Sequence, residues 1–133
     1  MNTSEVIYNG DLRTTAIHLR SGQQIITDAP VDNNGKGEAF SPTDLLATSL
    51  GCCMLTVMGI VAKRHALDID GTKVEILKIM AENPRRVSEI HVDMRFSKGF
   101  SDKDKQLLEN TALACPVAKS LHPEIKQKIR FHY

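Results

Sequence analysis

The composition has almost no excess of charge. The 133 residues carry 17 Lys and Arg against 16 Asp and Glu, a formal net charge of +1. Without a basic surplus there is no electrostatic reason to bind nucleic acid or an anionic membrane surface. Low-complexity runs and internal repeats are also missing. With 41% hydrophobic residues, the chain is expected to fold rather than remain disordered. Cysteine is scarce, and its count of three is odd. A secreted disulfide scaffold needs a dense, even set, so Cys52, Cys53 and Cys115 read as free thiols of a reducing cytoplasm. The opening stretch MNTSEVIYNGDL has no basic segment followed by an apolar one, so no signal peptide is expected.

Metal and nucleotide signatures are lacking too. There is no CxxC or HxxxH spacing, and His18, His65, His91, His122 and His132 are scattered, so no metal and no cofactor are expected. Gly35-Lys36-Gly37 lacks the spacing and the Lys-Ser/Thr ending of a phosphate-binding loop and reads as a turn. His122 follows Cys115 by seven residues, but no oxyanion-hole motif supports a Cys-His hydrolase.

What is present is one long uncharged run. Leu45 to Ala62 spans 18 residues without a charge, which as a helix covers roughly 27 Å, just short of a bilayer core. Thr48, Ser49, Thr56 and two glycines within it argue against membrane insertion. Half-buried strand patterns on both sides also call for a soluble core. The expectation is a helix buried on nearly every side. A chain this short covers such a helix poorly alone, which predicts an obligate homodimer.

Turn residues and periodicity divide the rest. Glu5–Tyr8, Leu12–Leu19 and Gln23–Thr27 read as strands around Asn9-Gly10 and Ser21-Gly22, followed by a loop over Asp32–Glu38. Ser41, Pro42 and Asp44 form a helix-start signature with the acid at the capping-box position, and the helix is expected to run to about His65. Thr72–Met80 and Val87–Phe96 are strands. The second sets Ile90, Val92, Met94 and Phe96 against Glu89, His91, Asp93 and Arg95. A capping box at Ser101–Asp104 opens a helix through Leu113, Cys115-Pro116 begins a short one ending near His122, and Lys128–Tyr133 closes as a strand. The order β-β-β-α-β-β-α-α-β predicts an α+β fold with a mostly antiparallel sheet, as a single domain over residues 1–133.

Two cysteines carry candidate chemistry. Cys53 lies about 13.5 Å along the helix from Asp44, too far for the helix dipole to act on it. An apolar setting would raise its pKa, so a reactive Cys53 needs a cation from elsewhere in the fold; otherwise it is a small core residue. Cys115 stands where a helix N-cap would be, and there the free N–H groups favour a thiolate. Cys52 points about 100° away from Cys53 and is assigned to core packing.

SPTDLLATSLGCC, with its cysteine eleven residues after the proline, and ACPVAKSLHPEI, where a cysteine precedes the proline opening a short helix, together resemble the OsmC/Ohr family. The likeness covers essentially the whole chain. It implies an intertwined homodimer that reduces organic hydroperoxides without a cofactor. Cys53 would be the peroxidatic thiol, Cys115 the resolving thiol, and an external lipoyl-type dithiol the reductant. Arg13 matches the family's arginine on an N-terminal strand. In the hydroperoxide-resistance branch a glutamate directly follows the proline and holds that arginine. Here the position is Thr43, and Asp44 and Glu38 are the candidate partners. The pattern is nearer the general OsmC-like branch, for which a small-molecule binding protein is the alternative. Candidate site residues are thus Cys53, Cys115, Arg13 and Asp44.

Overall fold

The computed structural model describes all residues, Met1–Tyr133. The chain divides into two compact units, Met1–Leu46 and Ala47–Tyr133.

In the first unit, β1 (Ser4–Gly10), β2 (Arg13–His18) and β3 (Gln24–Asp28) form an antiparallel sheet in the order β1-β2-β3. The β2–β3 register pairs Thr14 with Thr27 and Arg13 with Asp28. A 3-10 turn at Val31–Asn33 begins the loop that leads to the long helix. Gly37 N–H donates to the Ala29 carbonyl at 3.2 Å and Gly35 N–H to that of Pro30 at 2.9 Å. The loop folds so closely that a Cβ on Gly35 would lie 1.7 Å from the Ala29 carbonyl oxygen, so only glycine fits there.

Helix α1 (Pro42–Arg64) begins in the first unit and continues through the second. Its capping box forms as expected. Ser41 N–H donates to the Asp44 carboxylate and Asp44 N–H to the Ser41 hydroxyl, both at 3.0 Å. These two bonds satisfy donors that a helix start leaves open.

In the second unit, β4 (Lys73–Ala81) pairs antiparallel with β5 (Arg86–Arg95), which pairs in parallel with β6 (Lys126–His132). Helices α2 (Asp102–Leu113) and α3 (Pro116–Ser120) make the crossover that a parallel pair requires. The core joins Leu50, Met54 and Met58 of α1 to Ile90, Val92 and Met94 of β5 and to Leu108 of α2. The alternation expected for β5 is observed, and Phe96 just beyond it is buried as well. At Gly51 the helix meets β4 so closely that a Cβ would come within 3.0 Å of the Val74 and Ile76 side chains.

Two expectations need correction. Helix α1 is long and apolar enough for a membrane span by length and composition, yet its buried residues form one stripe, Ala47, Leu50, Gly51, Met54, Met58 and Ala62. Leu46 and Ile60 on its other side are exposed. Within one chain it is therefore a helix buried along one side only, and its exposed side is also largely apolar. Cys52 lies on that exposed side rather than in the core. The uncharged run concealed which positions faced inward, because both sides carry the same residue types.

Candidate functional site

The first unit holds a polar cluster built on the β2–β3 register. Arg13 and Asp28 are cross-strand partners, so their side chains meet at the open end of the hairpin. Arg13 Nε donates to Asp28 Oδ1 at 2.7 Å and Nη2 to Oδ2 at 2.8 Å, a two-pronged pair. The Asp28 side chain is only 1% exposed. Its Oδ2 also accepts the Glu38 N–H at 3.1 Å, and its own N–H donates to the Phe40 carbonyl. Hydrogen bonding from Arg13 outweighs burial and holds the Asp28 carboxyl below its ordinary pKa. The same bond raises Arg13 far above the usual guanidinium range.

Glu38 is the second partner of Arg13, through Nη2 at 3.2 Å, but its side chain is 65% exposed. Of the two carboxylates expected as candidates, Glu38 therefore pairs with Arg13, whereas Asp44 accepts the Ser41 N–H at the start of α1. Thr43, where a glutamate would stand in the hydroperoxide-resistance pattern, has its hydroxyl 3.2 Å from that of Ser41.

Asp28 escaped the sequence reading. The strand pattern ends at Thr27, one residue short of the observed strand end, and the turn signal centres the hairpin on Ser21-Gly22. Counting pairs outward from the observed Thr14–Thr27 match reaches Asp28 opposite Arg13, so the signal was the register rather than any motif.

The second unit holds the thiols. Cys53 is partly buried on α1, and Cys115 is buried. Cys53 packs against the core cluster that contains Cys115, near enough for each thiol to feel the other's charge, although they lie 62 positions apart in sequence. Cys115 is the N-cap of α3, with Pro116 as first helical residue, and its Sγ accepts the Ala118 N–H at 3.4 Å. The expected N-cap geometry is present, but the expected thiolate is not favoured. Burial pushes the Cys115 pKa up, the Ala118 N–H only partly opposes this, and the neighbouring Cys53 adds to the rise. Cys115 is thus held as a thiol beside Cys53. His122 accepts the Glu124 N–H, while His91 and His132 pair with Glu89 and Asp93 on the polar face of β5 and β6.

The chain is thus an α+β protein with one cysteine on a long helix and another at the N-cap of a short one. The OsmC-like protein family model matches residues 35–130, and the chain belongs to that family. A crystal structure from Psychrobacter arcticus, provisionally described as an osmotic stress induced and detoxification response protein, is 61% identical, with a TM-score of 0.97 over 99% of this chain and 96% of that one. An OsmC-like protein from Mycoplasma pneumoniae shares the fold at 19% identity, with a TM-score of 0.77 over 98% and 96% of the two chains. An organic hydroperoxide resistance protein from Legionella pneumophila does so at 14% identity, with a TM-score of 0.74 over 100% and 98%. A search of curated proteins gave no match.

Proposed function

We propose that this chain is a cytoplasmic, homodimeric thiol peroxidase that reduces organic hydroperoxides through Cys53 and Cys115. The observation that carries the reading is that Cys53 packs on the same core cluster that encloses Cys115, with Cys115 kept as a thiol by burial. An asymmetric pair of this kind divides the labour. The negative charge is disfavoured on Cys115, and Cys53 is assigned as the attacking sulfur by its match to the family's helix cysteine. Its sulfur takes the terminal oxygen of ROOH: the S–O bond forms, the O–O bond breaks, and the departing alkoxide takes up a proton as ROH. Cys53 is oxidised to a sulfenic acid. Cys115 then attacks that sulfur, its proton leaves with the sulfenic hydroxyl as water, and a disulfide forms. An external dithiol of lipoyl type exchanges with the disulfide, restoring both thiols and becoming oxidised itself.

Arg13 is assigned to stabilise the Cys53 thiolate and polarise the departing oxygen, by its match to the family's arginine. Asp44 is assigned to set the start of α1 and so the placement of the helix that carries Cys53. Residues 1–133 act as one functional domain, and a second copy completes it. Support for the dimer comes from apolar side chains left exposed in one chain, among them Val6, Ile7 and Tyr8 of β1 and Ile60 of α1.

The test is consumption of an alkyl hydroperoxide with a dithiol reductant. Wild type should turn over, and Cys53→Ser should lose at least about a hundredfold in rate; no turnover by wild type, or full turnover by Cys53→Ser, refutes the reading. Thr43 in place of a carboxylate after Pro42 favours a second reading, a small-molecule binding protein with little chemistry. Intact mass after peroxide treatment separates them. Loss of two hydrogens, abolished by either Cys→Ser change, supports the peroxidase, and an unchanged mass supports the binder.

A further inference from the structure

We infer that Asp28 is the positioning residue for Arg13, and that Glu38 is its exchangeable counter-ion. The inference rests on the reading that Arg13 serves Cys53. Two carboxylates contact one guanidinium, and their geometry differs in kind. Asp28 is buried and grips Nε and Nη2 along one edge. A planar guanidinium held by two parallel bonds has its rotation fixed. Asp28 is in turn fixed by strand pairing, by the Glu38 N–H and by its own N–H on Phe40. Glu38 makes one longer contact from an exposed position on a glycine-bearing loop, where water competes for both partners.

The grip also determines which part of Arg13 remains available. Nε and Nη2 are engaged by Asp28 and Glu38, so the Nη1 edge is the one left to meet an anion. With both carboxylates ionised, the cluster of Arg13, Asp28 and Glu38 carries one net negative charge. Departure of Glu38 makes it neutral and frees part of Nη2 without loosening the Asp28 grip. Asp28 thus sets the direction in which Arg13 presents its donors, and Glu38 sets how much of its charge is free.

The sign of one measurement distinguishes positioning from simple charge. Removing an anion near Arg13 favours a nearby thiolate, so a purely electrostatic Asp28 predicts a lower Cys53 pKa in D28N. A positioning Asp28 predicts the reverse, because the released guanidinium no longer points where it acts. The experiment is the pH dependence of Cys53 alkylation in the full chain, read by peptide mass to separate Cys52 and Cys115. R13Q sets the scale. D28N should raise the apparent Cys53 pKa in the same direction as R13Q and slow alkylation at neutral pH about tenfold, equivalent to about one pKa unit. E38Q should accelerate it by less than about threefold.

A downward shift in D28N, or none where R13Q shifts upward, overturns the positioning role alone. A wild-type profile in R13Q overturns the assignment of Arg13, and this inference with it. Should D28N fail to fold, wild-type protein decides the matter by NMR. The Arg13 Nε–H, identified by its loss in R13K, should exchange slowly with water; exchange as fast as that of exposed arginines contradicts the grip.

Discussion

The two compact units bury opposite kinds of residue. In Met1–Leu46 the buried residues are Thr27, Asp28 and Ser41, all polar. In Ala47–Tyr133 every buried residue is apolar, glycine or Cys115. The contrast separates two jobs. The second unit has a hydrophobic core, the main source of folding free energy, and it holds Cys115 inside that core with Cys53 packed against it. The first unit has no such core. It is ordered by directional contacts that converge on Asp28, and it leaves apolar strand residues uncovered. Directional contacts define geometry well but contribute little net stability. The first unit is therefore suited to aiming a guanidinium and poorly suited to standing alone.

The strongest way to break this comparison is to ask what covers the first unit. Sedimentation should show a dimer at micromolar concentration, and a stable monomer there would mean that the exposed β1 residues need no partner. Next in size is the core of the second unit. Leu50→Ala should cost about 2–5 kcal/mol in chemical unfolding, because Leu50 is fully buried. Gly51→Val should cost about 1–3 kcal/mol, since its side chain would be driven against Val74 and Ile76. Smaller again is Ser41→Ala at the α1 cap, expected at about 1 kcal/mol.

Acid should act on the first unit through Asp28. Its folded pKa is depressed, so the stabilisation is complete above the ordinary carboxylate range and is lost as the pH falls through the lowered value. Amide exchange in β2 and β3 should accelerate on acidification, and Asp28→Asn should remove that acid-side dependence. An unchanged dependence in the variant would place the titrating group elsewhere. The smallest expected effect is Glu38→Gln, which should leave the melting temperature unmoved because its one contact is exposed.

How much of this was legible beforehand follows the range of each interaction. The α1 capping box, the β5 alternation and the Cys115 N-cap are local patterns, and each is where the residues place it. The family likeness was legible because two cysteine motifs carry it in order. What escaped depends on contacts distant in sequence. The Arg13–Asp28 pairing turns on a hairpin register that a one-residue error in the turn conceals. The exposure of Cys52 and the single buried stripe of α1 depend on which side β4 and β5 cover, and a run of uniformly apolar residues does not record that. Cys115 shows both cases at once. Its capping position is local, whereas the burial that outweighs the cap comes from the surrounding core.

The central claim is that Cys53 and Cys115 form a working redox pair. Peptide mapping after one equivalent of an alkyl hydroperoxide tests it most directly. The account predicts a single disulfide joining the Cys53 and Cys115 peptides, with Cys52 still a thiol and the bond reversed by a dithiol. A bond through Cys52 instead, or oxidation of Cys53 beyond the sulfenic acid with Cys115 untouched, would contradict it.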